Sequence, residues 1–106
     1  MFDIQKMLKQ AQKMQEQMKS VQTEMENQEF TGSAGNGAVS VTCNGKYHFT
    51  RVSLKPDAMA DKDMLEDLVL TAIRDATNQV TKTMEDKMGK VTSGLNIPGM
   101  GNLLGM

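Results

Sequence analysis

Three features of the sequence predict an α+β fold in which two long projecting helices flank a three-stranded antiparallel sheet. Residues 3–27 carry apolar side chains at helical spacing, residues 29–54 alternate and turn as a meander does, and residues 61–91 return to helical spacing. The chain order is then α-β-β-β-α. At 106 residues this is one domain with a modest core, and oligomerisation is a reasonable way to enlarge it.

The first helix is read from Ile4, Met7, Ala11, Met14, Met18, Val21 and Met25, which are spaced alternately by three and four residues. Asp3 is placed to cap it. A helix over residues 3–27 is roughly 37 Å long. So narrow a seam suits another helix better than a sheet. Its side chains are mostly methionine, which packs adaptably and tolerates repacking. Lys6, Lys9 and Lys13 fall on the opposite side of the same helix.

From Glu29 the period changes. A short strand over residues 29–33 leads through a glycine-rich connection to Val39, Val41 and Cys43, which alternate. Asn44-Gly45 then predicts a two-residue hairpin turn with positive φ at both positions. The returning strand spans residues 46–54. Its apolar residues Phe49, Val52 and Leu54 break the period of two, which predicts a bulge near Thr50-Arg51.

Lys55-Pro56-Asp57 ends the sheet, and Asp61 can cap the second helix. The apolar stripe of that helix is wide as far as Ala76 and narrow through Val80, Met84, Met88 and Val91. The first half is expected to lie on the sheet, and the second half to project beside the first helix. A single domain over residues 1–92 is therefore expected, followed at 93–106 by a flexible Gly/Met-rich tail.

Composition bounds the function. Aromatics make up 4% of the chain, tryptophan is absent, and eleven methionines partly replace the usual core anchors. The formal net charge of -1 means that binding to a polyanion must rest on uneven charge distribution. One cysteine forms no internal disulfide, no secretory leader opens the chain, and no apolar run is long enough to span a membrane. The default expectation is a soluble cytoplasmic protein without membrane attachment.

Candidate chemistry is sparse. His48 is the only histidine, so no histidine cluster exists to hold a metal, and it is expected on a strand face. Cys43 alternates with Val39 and Val41 and reads as a small buried hydrophobe. A Cys43–His48 pair is available across the hairpin, yet no orienting group or oxyanion loop accompanies it. Gly32, Gly35 and Gly37 precede a strand, not a helix, and lack the lysine of a phosphate loop. The methionine stripe offers thioethers to Cu(I), but its heptad spacing is already explained by a helical seam. No catalytic residue, metal site or cofactor is expected, and the chain does not read as an enzyme.

Charge distribution says more. Residues 1–20 carry Lys6, Lys9, Lys13 and Lys19 against Asp3 and Glu16, a net of +2. Residues 21–30 carry only Glu24, Glu26 and Glu29, a net of −3. Residues 61–76 also sum to −3, from five acids against Lys62 and Arg74. Residues 77–92 set Lys82, Lys87 and Lys90 against Glu85 and Asp86, a net of +1. With the helices antiparallel, the basic ends meet and make a positive tip on an acidic base. Phosphate backbone is the natural ligand of such a tip.

The segments KMLKQAQKMQEQM, VSVTCNGKYHFTRVSLKP, MLEDLVLTAIRDATNQV and EDKMGKVTSGLNIPG together resemble the YbaB/EbfC family of bacterial nucleoid-associated proteins. The likeness spans nearly the whole chain in order. It implies a tweezer-like homodimer whose helices embrace duplex DNA in the cytoplasmic nucleoid, with limited sequence preference and effects on gene expression. The positions matching the family's DNA-contacting basic residues are Lys6, Lys9, Lys13, Lys82, Lys87 and Lys90. The competing reading is a protein-interaction adaptor whose methionine seam or C-terminal tail captures an unknown protein partner.

Overall fold

Residues 3–95 are described by a computed structural model, in the order α1 (Ile4–Asn27), β1 (Glu29–Ala34), β2 (Val39–Asn44), β3 (Phe49–Leu54), a 3-10 turn (Pro56–Ala60) and α2 (Lys62–Leu95). Asp3 caps α1 by accepting from the Lys6 amide at 3.1 Å, which satisfies a backbone donor with no partner inside the helix. Asp61 does the same for α2, accepting from the Met64 amide at 3.2 Å. Both caps match the sequence.

The strands form one antiparallel sheet in the order β1-β2-β3. Thr42 faces Arg51 while Cys43 faces Phe49, so Thr50 is the extra residue of a bulge where the broken alternation predicted one. The Asn-Gly turn is a correction. Asn44 stays in β2, and a longer loop over residues 45–48 carries the chain to β3. The Asn44 Oδ1 accepts from the amides of Lys46 at 2.8 Å and His48 at 3.1 Å, and Tyr47 takes the positive φ of 63°. Gly45 is required for a different reason: a Cβ there would lie 2.4 Å from the Met25 carbonyl oxygen, to which its amide donates at 2.7 Å. Strand β3 consequently begins at Phe49, and His48 sits exposed in the loop, not on a strand face.

Helix α2 lies across β1 and β2, as its wide stripe predicted. Ala72 and Ala76 are wholly buried against Gly32, where a Cβ would come within 2.2 Å of the Ala72 carbonyl oxygen. Small residues on both sides let the helix backbone settle onto the strand. Phe30, Val39, Val41 and Cys43 complete the core beneath it, met by Val80 of the helix itself. The outer edge of β1 is also closed by this helix. Asp75 Oδ2 accepts from the Ser33 amide at 3.0 Å, and Gln79 Nε2 donates to the Thr31 carbonyl at 2.9 Å.

The opposite side of the sheet is open. Phe49, Val52 and Leu54 pair with Cys43, Val41 and Val39, so they share the face that α2 covers over β2. Every residue of β3 is nevertheless exposed, Val52 by 59%.

Helices α1 and α2 run antiparallel, with Val21 and Met25 of α1 and Val80 and Val91 of α2 buried. Met14, Met18, Met84 and Met88 pack half-buried around them. The result is elongated, 71 × 27 × 15 Å, with a radius of gyration of 19.5 Å. A compact chain near this length has about 13 Å. Helix α2 continues to Leu95, past the expected domain boundary at 92. The rest of the expected tail, residues 96–106, lies outside the described residues.

Candidate nucleic-acid interface

Lys6, Lys9 and Lys13 follow from the helical spacing of α1, which places them within about 60° of one another around the axis. All three are exposed, and none has an ion-pair partner among the described residues. They lie N-terminal to Met14, the first residue of α1 that packs against the core among the described residues. The positive end of the α1 helix dipole lies at the same extremity.

The other three candidate lysines stand elsewhere. Lys87 Nζ meets Glu24 at 2.9 Å and Gln28 Oε1 at 3.3 Å, and its side chain is only 25% exposed. Eighteen residues separate Glu24 from Lys6, about 27 Å along α1. Lys82 is exposed at the level of the sheet, next to Thr81, whose hydroxyl is 2.8 Å from that of Tyr47. Lys90 lines an open cleft of about 390 Å³ between the helices, with Gln17, Ser20, Val21, Glu24, Lys87 and Val91. Lys6, Lys9 and Lys13 are thus gathered near one end of α1, while Lys82, Lys87 and Lys90 are spread along α2 from the sheet to the cleft, and the six do not meet in one paired tip. Lys19, outside the six candidates, is also exposed on α1 but stands about 80–140° from the Lys6–Lys9–Lys13 row around the helix.

The acidic residues near the sheet have structural tasks. Glu24 holds Lys87, Glu26 lies 3.4 Å from Lys46, Asp61 caps α2, and Asp75 closes the β1 edge. The ion pairs are half-exposed on at least one partner, where such contacts contribute about 0–1 kcal/mol. They occupy Lys46 and Lys87, whereas Lys6, Lys9, Lys13, Lys82 and Lys90 have no ion-pair partner among the described residues.

Cys43 is fully buried, and that burial pushes its thiol pKa up, the reverse of what a nucleophile needs. His48 is exposed on the loop, so the two are not joined as a pair. Gly35 and Gly37 have φ of 61° and 86° in the β1–β2 turn, which accounts for them without a phosphate. Among the described residues no group of three His, Cys, Asp or Glu side chains is gathered for a metal ion. No described helix is long and apolar enough to cross a membrane.

The sequence profile of the YbaB/EbfC DNA-binding family matches residues 1–95. A nucleoid-associated protein of Clostridium acetobutylicum is 45% identical over 96 residues, covering 89% of this chain and 86% of that protein. Another, from Polynucleobacter necessarius, is 46% identical over 92 residues, covering 87% and 86%. The crystal structure of an uncharacterized protein from Helicobacter pylori superposes with a TM-score of 0.76 at 16% identity, over 87% of this chain and 99% of that one. That last likeness establishes the fold alone.

Proposed function

The chain belongs to the YbaB/EbfC DNA-binding family, and we propose that it binds duplex DNA as a homodimer, mainly through phosphate contacts, and so influences nucleoid organisation and gene expression. The observation that carries this reading is the exposed Lys6, Lys9 and Lys13 row on a projecting helix. Like charges three and four residues apart cost a helix about 0.2–0.5 kcal/mol per pair, and a polyanion laid along them removes that cost. Lys82 and Lys90 extend the positive surface toward the sheet, and Lys87 joins it when Glu24 releases it. Base readout is slight in this proposal, because Arg51 and Arg74 are the only arginines in the chain. The site of action is the cytoplasmic nucleoid.

The second copy covers the open side of the sheet. Phe49, Val52 and Leu54 are 42%, 59% and 38% exposed on a face that is otherwise core. Helical spacing puts half-buried Val69 and Ile73 on the same side of α2, away from Asp75 and Gln79. A contiguous apolar face of this kind is covered in a stable protein. Light scattering at micromolar concentration should give about twice the 11.7 kDa chain mass. A monomer there refutes the dimer.

A second reading is favoured by one observation: Ile4, Met7 and Leu8 are 66%, 53% and 57% exposed on the projecting part of α1. That stripe suits an adaptor that captures another protein's helix. Titration of a labelled duplex at two salt concentrations separates the readings. Micromolar affinity that falls steeply with salt supports phosphate binding, whereas no binding at tens of micromolar leaves the adaptor.

A further inference from the structure

The seam holding α1 to α2 is built largely of thioethers. Met14, Met18 and Met25 surround Val21 on α1, and Met84 and Met88 lie between Val80 and Val91 on α2. Met25 is 1% exposed, while Met14, Met18, Met84 and Met88 are half-buried at the margin of a structure only 15 Å thick. Polar ties between the two helices are confined to one end. Among the described residues the ones joining them are those of Lys87 with Glu24 and with the C-capping Gln28, and none lies N-terminal to Glu24. Upstream of that ion pair, α1 is held to α2 by apolar contact alone. Hydrogen-bond donors are already short there, since Gln17 Oε1 is buried without a partner.

We infer that this attachment is sensitive to oxidation: hydrogen peroxide converts the four half-buried methionines to sulfoxides and releases α1 from α2. In each case a sulfur lone pair attacks one peroxide oxygen, the O–O bond breaks and an S–O bond forms. Sulfur is oxidised by two electrons, and the other oxygen leaves as water after taking up the proton. The product is a strong acceptor on a formerly apolar side chain, at a contact where no hydrogen bond joins the described residues of the two helices and the Gln17 carbonyl already lacks a partner. Reduction by a thiol-dependent sulfoxide reductase restores the thioether and hence the seam. Accessibility sets the order. Met7, Met59 and Met64, 53%, 62% and 54% exposed, react first and leave the seam intact. The four seam sulfurs follow, and Met25 is last.

The test is a peroxide titration of the full chain, with peptide mass mapping to place each added oxygen and hydrogen exchange to follow the amides of residues 18–24. Oxidation confined to Met7, Met59 and Met64 should leave exchange unchanged. Oxidation of the four seam methionines should lower protection by about tenfold or more, the effect of one polar group left unpaired in an apolar contact. A Met14→Leu, Met18→Leu, Met84→Leu, Met88→Leu chain keeps the volume and loses the sulfur, so its protection should hold at every dose. If that chain does not fold, the Met14→Leu, Met18→Leu pair should show a reduced response. Unchanged protection in a fully sulfoxidised seam, or equal loss in the leucine chains, overturns the inference. DNA is absent from the readout, so failure of the DNA-binding proposal registers separately.

Discussion

Substituting Gly32 tests how deeply α2 is seated on the sheet. In Gly32→Ala the new Cβ would lie 2.2 Å from the Ala72 carbonyl oxygen, 2.4 Å from the Ala76 amide nitrogen and 2.9 Å from the Ala76 Cβ. Two of those neighbours are helix backbone, so no side chain can swing aside, and α2 must rise by about 1 Å to reach ordinary contact. That lift stretches the Asp75–Ser33 and Gln79–Thr31 bonds, now 3.0 and 2.9 Å, beyond useful length. Two lost hydrogen bonds cost about 1–3 kcal/mol together. Overpacking adds about 1–3 kcal/mol, against which removing a strand glycine returns about 0.5–1 kcal/mol. The net expectation is a loss of about 2–4 kcal/mol, seen as a fall in urea midpoint of about 1–2 M at the slopes usual for small proteins. Gly89→Ala is the control of opposite sign. Nothing lies within 4 Å of its Cβ, and it stands inside a helix, so stability should rise by about 0.5–1 kcal/mol. A neutral Gly32→Ala alongside a stabilised Gly89→Ala would refute the close seating of α2.

Other expectations concern charge, assembly and the thiol. Replacing Lys9 and Lys13 by Gln should flatten the dependence of log affinity on log salt by about 3–4 in a dimer, at nearly one counterion per lost phosphate contact, and on unrelated duplexes alike. Replacing Lys46 and Lys55, one tied to Glu26 and both near the sheet, should do much less; equal effects would leave only a diffuse field. Phe49→Asp with Val52→Asp should halve the scattering mass at micromolar concentration, and an unchanged mass would place the interface elsewhere. Cys43→Ala should lower stability by about 1 kcal/mol and leave DNA affinity untouched, as for a small buried hydrophobe. Because burial raises the Cys43 pKa, the folded protein keeps its proton where the unfolded chain has lost it. Stability should therefore fall as pH rises through the ordinary thiol value of 9.0, and less so in Cys43→Ala.

Legibility followed the range of the forces involved. The caps at Asp3 and Asp61, the bulge at Thr50 and the split role of α2 are local or periodic signals, and each stands in the structure as the sequence implied. Asn44-Gly45 misled because its glycine answers to Met25, twenty residues away in the chain, and not to the turn. Asp75 and Gln79 read as solvated helix surface, since nothing local shows that a strand edge lies beneath them. Lys87 looked equivalent to Lys90 until the antiparallel register brought Glu24 against it. The lysine row on α1 was legible because it depends on one helix alone, whereas the exposed face of β3 depends on where α2 stops covering the sheet.

The two edges of the sheet also differ in what they permit during growth. A strand ladder with both margins open is a bifunctional unit, able to add neighbours at either side without limit, which is the geometry of fibrils. Here Asp75 and Gln79 occupy the Ser33 amide and the Thr31 carbonyl of β1, which obstructs a further strand at that margin while α2 stays docked. The sheet is left monofunctional, and any strand-to-strand association through β3 terminates after a single partner. Loss of those two side-chain bonds would restore the second valence, and with it a route from a closed pair to an open polymer.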